Sequence, residues 1–202
     1  MKIYYSPASP YVRKCMVVAA ELGLLDRIER LPSAASPVKM DMTVAQSNPL
    51  GKVPTFITDA GQAIYDSRVI CEYLNDLGKG NLIPPPSEQR WRVLTEQSLA
   101  DGILDAALLA RYETATRPRA LHWQDWHQGQ MRKIDGSLAS FEGVIAQRDD
   151  EVNVGMIALG CALGYLDFRF PEYDWRGGHP ALDRWYARFA ERPSMQSTAP
   201  RS

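Results

Sequence analysis

The stretch 48-NPLGKVPTFITDAGQAIYDSRVICEYL-74 decides how the first part of the chain folds. Thr55–Thr58, TFIT, follow directly on Pro54 and are β-branched or aromatic throughout, which reads as a strand. A proline is tolerated at a strand entry because only one ladder donor is lost. Asp59-Ala60-Gly61-Gln62 reads as a turn into a second short strand, Ala63–Tyr65. Val69, Ile70, Tyr73, Leu74 and Leu77 then mark one face of a helix. A hairpin followed by an amphipathic helix is expected here.

Toward the N-terminus, Lys2–Tyr5 reads as a strand. Residues 10–22 carry Val12, Cys15, Met16 and Ala19 at helical spacing, with Gly23 as a C-terminal stop. A further strand is expected around Ile28–Leu31 and a weak helical piece near 40–46. Strand, helix and strand imply a parallel, right-handed crossover, with the hairpin antiparallel beside it. Toward the C-terminus, 78-GKGNLIPPPS-87 stops one helix with glycines and bars another with prolines. Everything beyond reads as helix: one capped by Ser87 and running to about Glu113, a break near Pro118, a second over 123–147, an almost wholly apolar one over 153–170, and one begun by Pro180. The tail, SMQSTAPRS, reads as polar and loose. The fold class is thus α/β plus all-α, with domains at 1–78 and 86–202 joined by a linker at 79–85.

Of the 202 residues, 45% are hydrophobic and 23% charged, and the net charge is −1. This balance supports a packed core and gives no bulk attraction toward nucleic acid or anionic membrane, so neither is an expected partner. The opening MKIYYSPASP lacks the apolar run of a signal peptide, and the longest apolar run, Ile157–Leu166, is too short to span a bilayer. A cytoplasmic location is expected. Cys15, Cys71 and Cys161 are far apart, with no C-x-x-C, so reduced buried thiols are expected and no metal site.

Four features carry chemistry. Ser9 and Pro10 stand at the cap and first position of the first helix, where a hydroxyl and the positive helix end would stabilise a thiolate. Were the Val53-Pro54 bond cis, the N–H and C=O of Val53 would face an added peptide strand. Asp66 and Ser67 fall at a helix start suited to both charges of an α-amino acid head group. Lys52 could hold a second carboxylate. Each also has an ordinary reading: a plain cap, a trans proline, a plain N-cap, a solvated lysine. Taken together they describe a site for a small acidic peptide with a thiol at its centre, which glutathione fits.

S-P-Y-V-R-K, N-P-L-G-K-V-P and Y-D-S-R-V-I-C-E-Y-L, in this order and spacing, resemble the glutathione S-transferase family over nearly the whole chain, and most of all its bacterial serine-type members. The resemblance implies a thioredoxin-like domain followed by an all-helical one. It implies glutathione as co-substrate with no metal, transfer of its thiolate to a small electrophile in detoxification chemistry, and a homodimer. Ser9 matches the serine that bonds the thiolate and Val53 the residue whose backbone pairs with the cysteinyl unit. Pro54 matches the cis-proline, Asp66 and Ser67 the γ-glutamyl site, and Lys52 a contact to the glycyl carboxylate. Asp101 is the nearest match to an acidic residue that in some members reaches the partner's glutathione. A second-substrate pocket is expected against Tyr11, Leu104, Leu108, Arg111 and Tyr112, with core packing as the rival role of the leucines and Arg111 favouring an anionic or polarised substrate.

The chain departs from the family pattern at 153-NVGM-156, where Asn153 can cap but the reciprocal acidic partner of a capping box is missing. Tyr5 is a minor rival to Ser9 as thiol donor. Two other functions compete with transfer: a glutathione-binding scaffold or ligand-holding module without turnover, and a glutathione-dependent peroxidase. The residues do not name the electrophile.

Overall fold

Ile3 and Phe56 sit opposite each other on neighbouring strands, both fully buried, and the sheet is built around them. The computed structural model describes residues 1–34, 36–147 and 151–201. Its elements in chain order are β1 (Lys2–Tyr5), α1 (Pro10–Glu21), β2 (Glu29–Pro32), α2 (Met42–Ala45), β3 (Thr55–Ile57), β4 (Ala63–Ile64) and α3 (Ser67–Leu77), then α4 (Glu88–Ala115), α5 (Gln124–Ile145), α6 (Val154–Arg169), α7 (Pro180–Ala190) and α8 (Pro193–Ser197). The strand order is β2-β1-β3-β4. β1 and β2 are parallel, with Ile3 opposite Arg30, whereas β3 is antiparallel to both β1 and β4. The turn between β3 and β4 is closed by Gly61 N–H to Thr58 C=O at 3.0 Å, with Gly61 at φ +80° where a side chain would be strained.

α1 is buried on more than the one face its spacing suggests. Every residue from Val12 to Ala19 is buried, Arg13 and Lys14 included. The helix is gripped on one side by α3 and on the other by α6 and α8, so it has no solvent face over most of its length. Burying two cations requires partners, since an unpaired buried charge is costly. Arg13 donates to the C=O of Met195 at 3.1 Å, and Lys14 to Asp101.

The helical part centres on α6, buried from Val154 to Leu166. Asn153 caps it by accepting from Met156 N–H at 3.0 Å, while its amide donates to Glu151 at 3.1 Å. Glu151 thus contacts the cap from outside the helix, where a capping box would have used an acidic residue inside it. Gly155 lets α6 approach α4: a Cβ there would lie 2.8 Å from the Glu96 Cβ and 3.0 Å from the Val93 carbonyl.

The tail differs from its expectation. Residues 193–197 form α8, Met195 is 1% exposed, and Arg201 N–H donates to the C=O of Pro7 at 3.3 Å. The cause is one apolar anchor among polar residues. Met195 packs beside Gly160 of α6, and Arg192 and Ser194 both donate to Glu21 at the end of α1. No helix among the described residues is long and apolar enough to cross a membrane.

Candidate functional site

The register of the sheet brings the sequence motifs to one end of it. Tyr4 of β1 lies opposite Thr55 of β3, so the loop that leaves β1 toward Ser9 runs beside the turn that enters β3 through Pro54. Ser9 is the N-cap of α1. Its Oγ accepts from Val12 N–H at 3.3 Å, and Pro10 occupies the first helical turn. An accepting hydroxyl keeps its own proton to donate. The hydroxyl is half-buried and stands at the positive end of the helix dipole, so cap and donor are one atom. Ser6 supplies the turn: its C=O accepts from Ser9 N–H at 3.1 Å. Tyr5 lies under Arg30, whose guanidinium carbon is 5.0 Å from the ring centre.

The Val53-Pro54 bond is cis. Among the described residues, neither the N–H nor the C=O of Val53 has a hydrogen-bond partner, which leaves both open to an added strand. The carbonyl before it, that of Lys52, is held from below. Thr55 donates to it at 2.7 Å and the Asn48 amide at 3.3 Å, while Asn48 also bonds the Thr55 hydroxyl at 2.9 Å. Asn48 and Thr55 are almost wholly buried. They are positioning residues that the sequence reading did not single out, although a polar Asn before an apolar, proline-flanked run was a usable signal. The Lys52 side chain itself is exposed.

Asp66 caps α3 by accepting from Arg68 N–H at 2.9 Å and remains exposed, whereas Ser67 begins the helix and is buried. Below this helix start is a buried charge cluster. Asp101 of α4, 1% exposed, accepts from Lys14 Nζ at 2.6 and 2.8 Å and from Arg68 Nε at 2.8 Å. Burial pulls the Lys14 ammonium toward neutrality, but the adjacent Asp101 charge outweighs it and the net shift is upward, so the lysine is protonated. α1, α3 and α4 are thereby fastened together beneath the candidate site. Both oxygens of Asp101 are engaged within this chain.

Tyr11 donates to Asp105 of α4 in a short hydrogen bond. Burial, reinforced by Asp105, pushes its phenol far above the ordinary value, so it stays neutral. Leu104 is fully buried and belongs to the helical core, the rival role considered for it. Leu108, Arg111 and Tyr112 are half-buried and continue along α4. Cys15, Cys71 and Cys161 are buried free thiols. Burial raises Cys15 well above the ordinary thiol value and Cys161 to about 11, so neither is a ready nucleophile. Among the described residues, no three His, Cys, Asp or Glu side chains are grouped to hold a metal.

This architecture has close counterparts. Residues 8–77 match the model of the glutathione S-transferase N-terminal domain, and residues 124–188 that of the C-terminal domain. A glutathione transferase family member from Pseudomonas fluorescens Pf-5, solved with bound glutathione, is 47% identical, with 100% of this chain and 99% of that one covered and a TM-score of 0.97. A second Pseudomonas fluorescens structure, holding S-(propanoic acid)-glutathione, is 46% identical over 100% of each chain, with a TM-score of 0.92. Among curated proteins, the uncharacterized GST-like protein YibF of Escherichia coli K12 is 37% identical, covering 99% of this chain and 98% of its own. The two domain matches and the identity over full length, on a fold that brings the three sequence motifs to one end of the sheet, establish that this chain belongs to the glutathione S-transferase family.

Proposed function

We propose that the chain binds glutathione and transfers its thiolate to a small electrophilic carbon. The observation that carries this reading is Ser9, whose Oγ accepts the Val12 N–H and so has its proton free to donate at the N-terminal end of α1. A thiolate placed there gains one hydrogen bond and the helix dipole, both of which favour the anion over the thiol. The open N–H and C=O of Val53 then hold the cysteinyl backbone. Asp66 takes the γ-glutamyl ammonium, Ser67 and the start of α3 take its carboxylate, and Lys52 takes the glycyl carboxylate. Ser9 stabilises the anion; the sulfur is the nucleophile. In the transfer, a sulfur lone pair forms the S–C bond as the leaving group departs with its electron pair.

The second substrate lies against α4, where Tyr11, Leu108, Arg111 and Tyr112 offer accessible surface. That a Pseudomonas fluorescens relative holds glutathione with a propanoic acid on its sulfur supports a pocket with room beyond the thiol. We take the working form to be a cytoplasmic homodimer, with the division between domains at residues 79–85.

Purified protein assayed for loss of free thiol against a panel of small electrophiles tests the reaction. The expected result is catalysed conjugation that falls at least about tenfold in Ser9→Ala, the size of effect that loss of a donor to a developing or resting anion produces. Glutathione binding without conjugation of any electrophile would instead make the chain a holding module.

A further inference from the structure

Two cations near the ends of α4 and α6, Arg111 and Arg169, have no acidic partner among the described residues. Gly155 brings the start of α6 against Val93 and Glu96 near the start of α4. At the other end, Arg169 in the last turn of α6 comes within electrostatic reach of Arg111 and Tyr112 of α4, so the two helices run parallel. Both guanidiniums are half-buried. Among the described residues, no carboxylate lies within ion-pair distance of either. The Arg169 guanidinium carbon stacks 3.9 Å from the Phe168 ring centre, which covers one face, and the guanidinium also hydrogen-bonds Tyr165, leaving its remaining N–H groups for a ligand. Tyr165, 5% exposed, and Tyr112 bring two hydroxyls to the same cluster.

Like charges side by side in a half-buried cluster cost free energy unless something offsets them. The negative ends of two helix dipoles offset part of it. The Arg169 charge is nevertheless disfavoured on balance, first by burial and second by Arg111. Burial raises the Tyr165 phenol to about 12, so at neutral pH it supplies a hydroxyl and no negative charge. An anion from outside would satisfy the cluster. Arg111 lies about 9 Å further along α4 than Asp105, the residue held by Tyr11, at 1.5 Å per residue. Tyr11 itself is two positions from Ser9. Tyr112, seven residues beyond Asp105, returns to the face that Tyr11 holds, and Arg111 and Arg169 both lie near it, which sets the cations beyond the sulfur on that side of α4.

We propose that the second substrate is a carboxylate-bearing electrophile, its carboxylate received by Arg111 and Arg169 while its reactive carbon faces the sulfur. This rests on the transferase reading of Ser9. For a halogenated carboxylic acid, the S–C bond forms as the carbon–halogen bond breaks, and halide leaves with the bonding pair. The product is a glutathione thioether that still carries its carboxylate on the arginines.

The test compares two conjugates that differ only in charge, S-carboxymethylglutathione and S-carbamidomethylglutathione, by calorimetric titration, with glutathione alone as reference. The acid should bind at least about tenfold more tightly than the amide, as hydrogen bonds to a charged group imply. In Arg111→Gln and Arg169→Gln the ratio of the two affinities should fall toward one, whereas Arg169→Lys should retain part of it. The ratio is internal to each variant, so a partly unfolded sample does not mimic the effect. Equal affinities in the wild type, or a ratio that survives both glutamine substitutions, overturn this proposal alone. Failure of glutathione and both conjugates to bind overturns the glutathione reading and this one with it.

Discussion

At the scale of single residues, the candidate site depends on groups that do two jobs. Ser9 closes the first helical turn through Val12 N–H and still carries a proton to donate. Its removal should therefore show in both stability and rate. Ser9→Ala is expected to cost about 1 kcal/mol as a lost cap, measurable as a lower urea midpoint, beside a much larger relative loss of conjugation. Asp101 is a second such residue. The resemblance matches it to an acidic residue that in some members reaches a partner's glutathione; within this chain its oxygens accept from Lys14 and Arg68. Asp101→Asn should destabilise the fold by about 3–5 kcal/mol, because Lys14 is left buried without its counter-charge. Chemical denaturation checks this, and the pair Lys14→Met with Asp101→Leu should recover much of the loss. A loss under about 1 kcal/mol for Asp101→Asn would mean that the cluster is not the fastening described. The sequence made Ser9, Pro54 and Asp66 legible because each sits beside a local signal: a proline, a turn, a helix start. Lys14, Asp101 and Arg169 carry no local signal. Their roles come from helices far apart in sequence meeting in space.

At the scale of elements, the strands and long helices followed from apolar period and from glycine and proline punctuation. The end of the chain did not, because α8 is one short helix with a single large apolar residue, Met195, and its order comes from tertiary contacts. Those contacts are partly electrostatic. Arg192 holds the Glu21 carboxyl below the ordinary glutamate value, helped by Ser194 and opposed by partial burial. A carboxylate with a lowered folded value stabilises the fold above the unfolded value near ~4.3 and loses that contribution as pH falls through the lower folded value. Hydrogen exchange of residues 193–201 should accordingly speed up at acid pH before that of α6 does, and in Glu21→Gln the faster exchange should already be present at neutral pH. Equal protection of the two segments across that range would contradict the coupling. Met195→Ala should cost about 2–5 kcal/mol by the cavity left beside Gly160.

At the scale of the whole molecule, two exposed apolar residues bear on assembly. Val69 of α3 is 49% exposed and Trp91 of α4 is 63% exposed, and the Glu72–Arg90 ion pair ties these two helices together between them. Aromatic side chains such as Trp91 are enriched at interfaces relative to the rest of a protein surface. If the homodimer proposed above uses them, Trp91→Glu should shift the protein from dimer to monomer in sedimentation velocity; a monomeric wild type would remove the dimer from the account. What the molecule does to a bound thiol is read from the ultraviolet absorbance of bound glutathione against pH. A free thiol ionises near ~8.5. The wild type is expected to lower this value to neutrality or below, and Ser9→Ala to return it most of the way. Glutathione bound with its thiol unshifted in both proteins would contradict this and leave Ser9 as a helix cap alone.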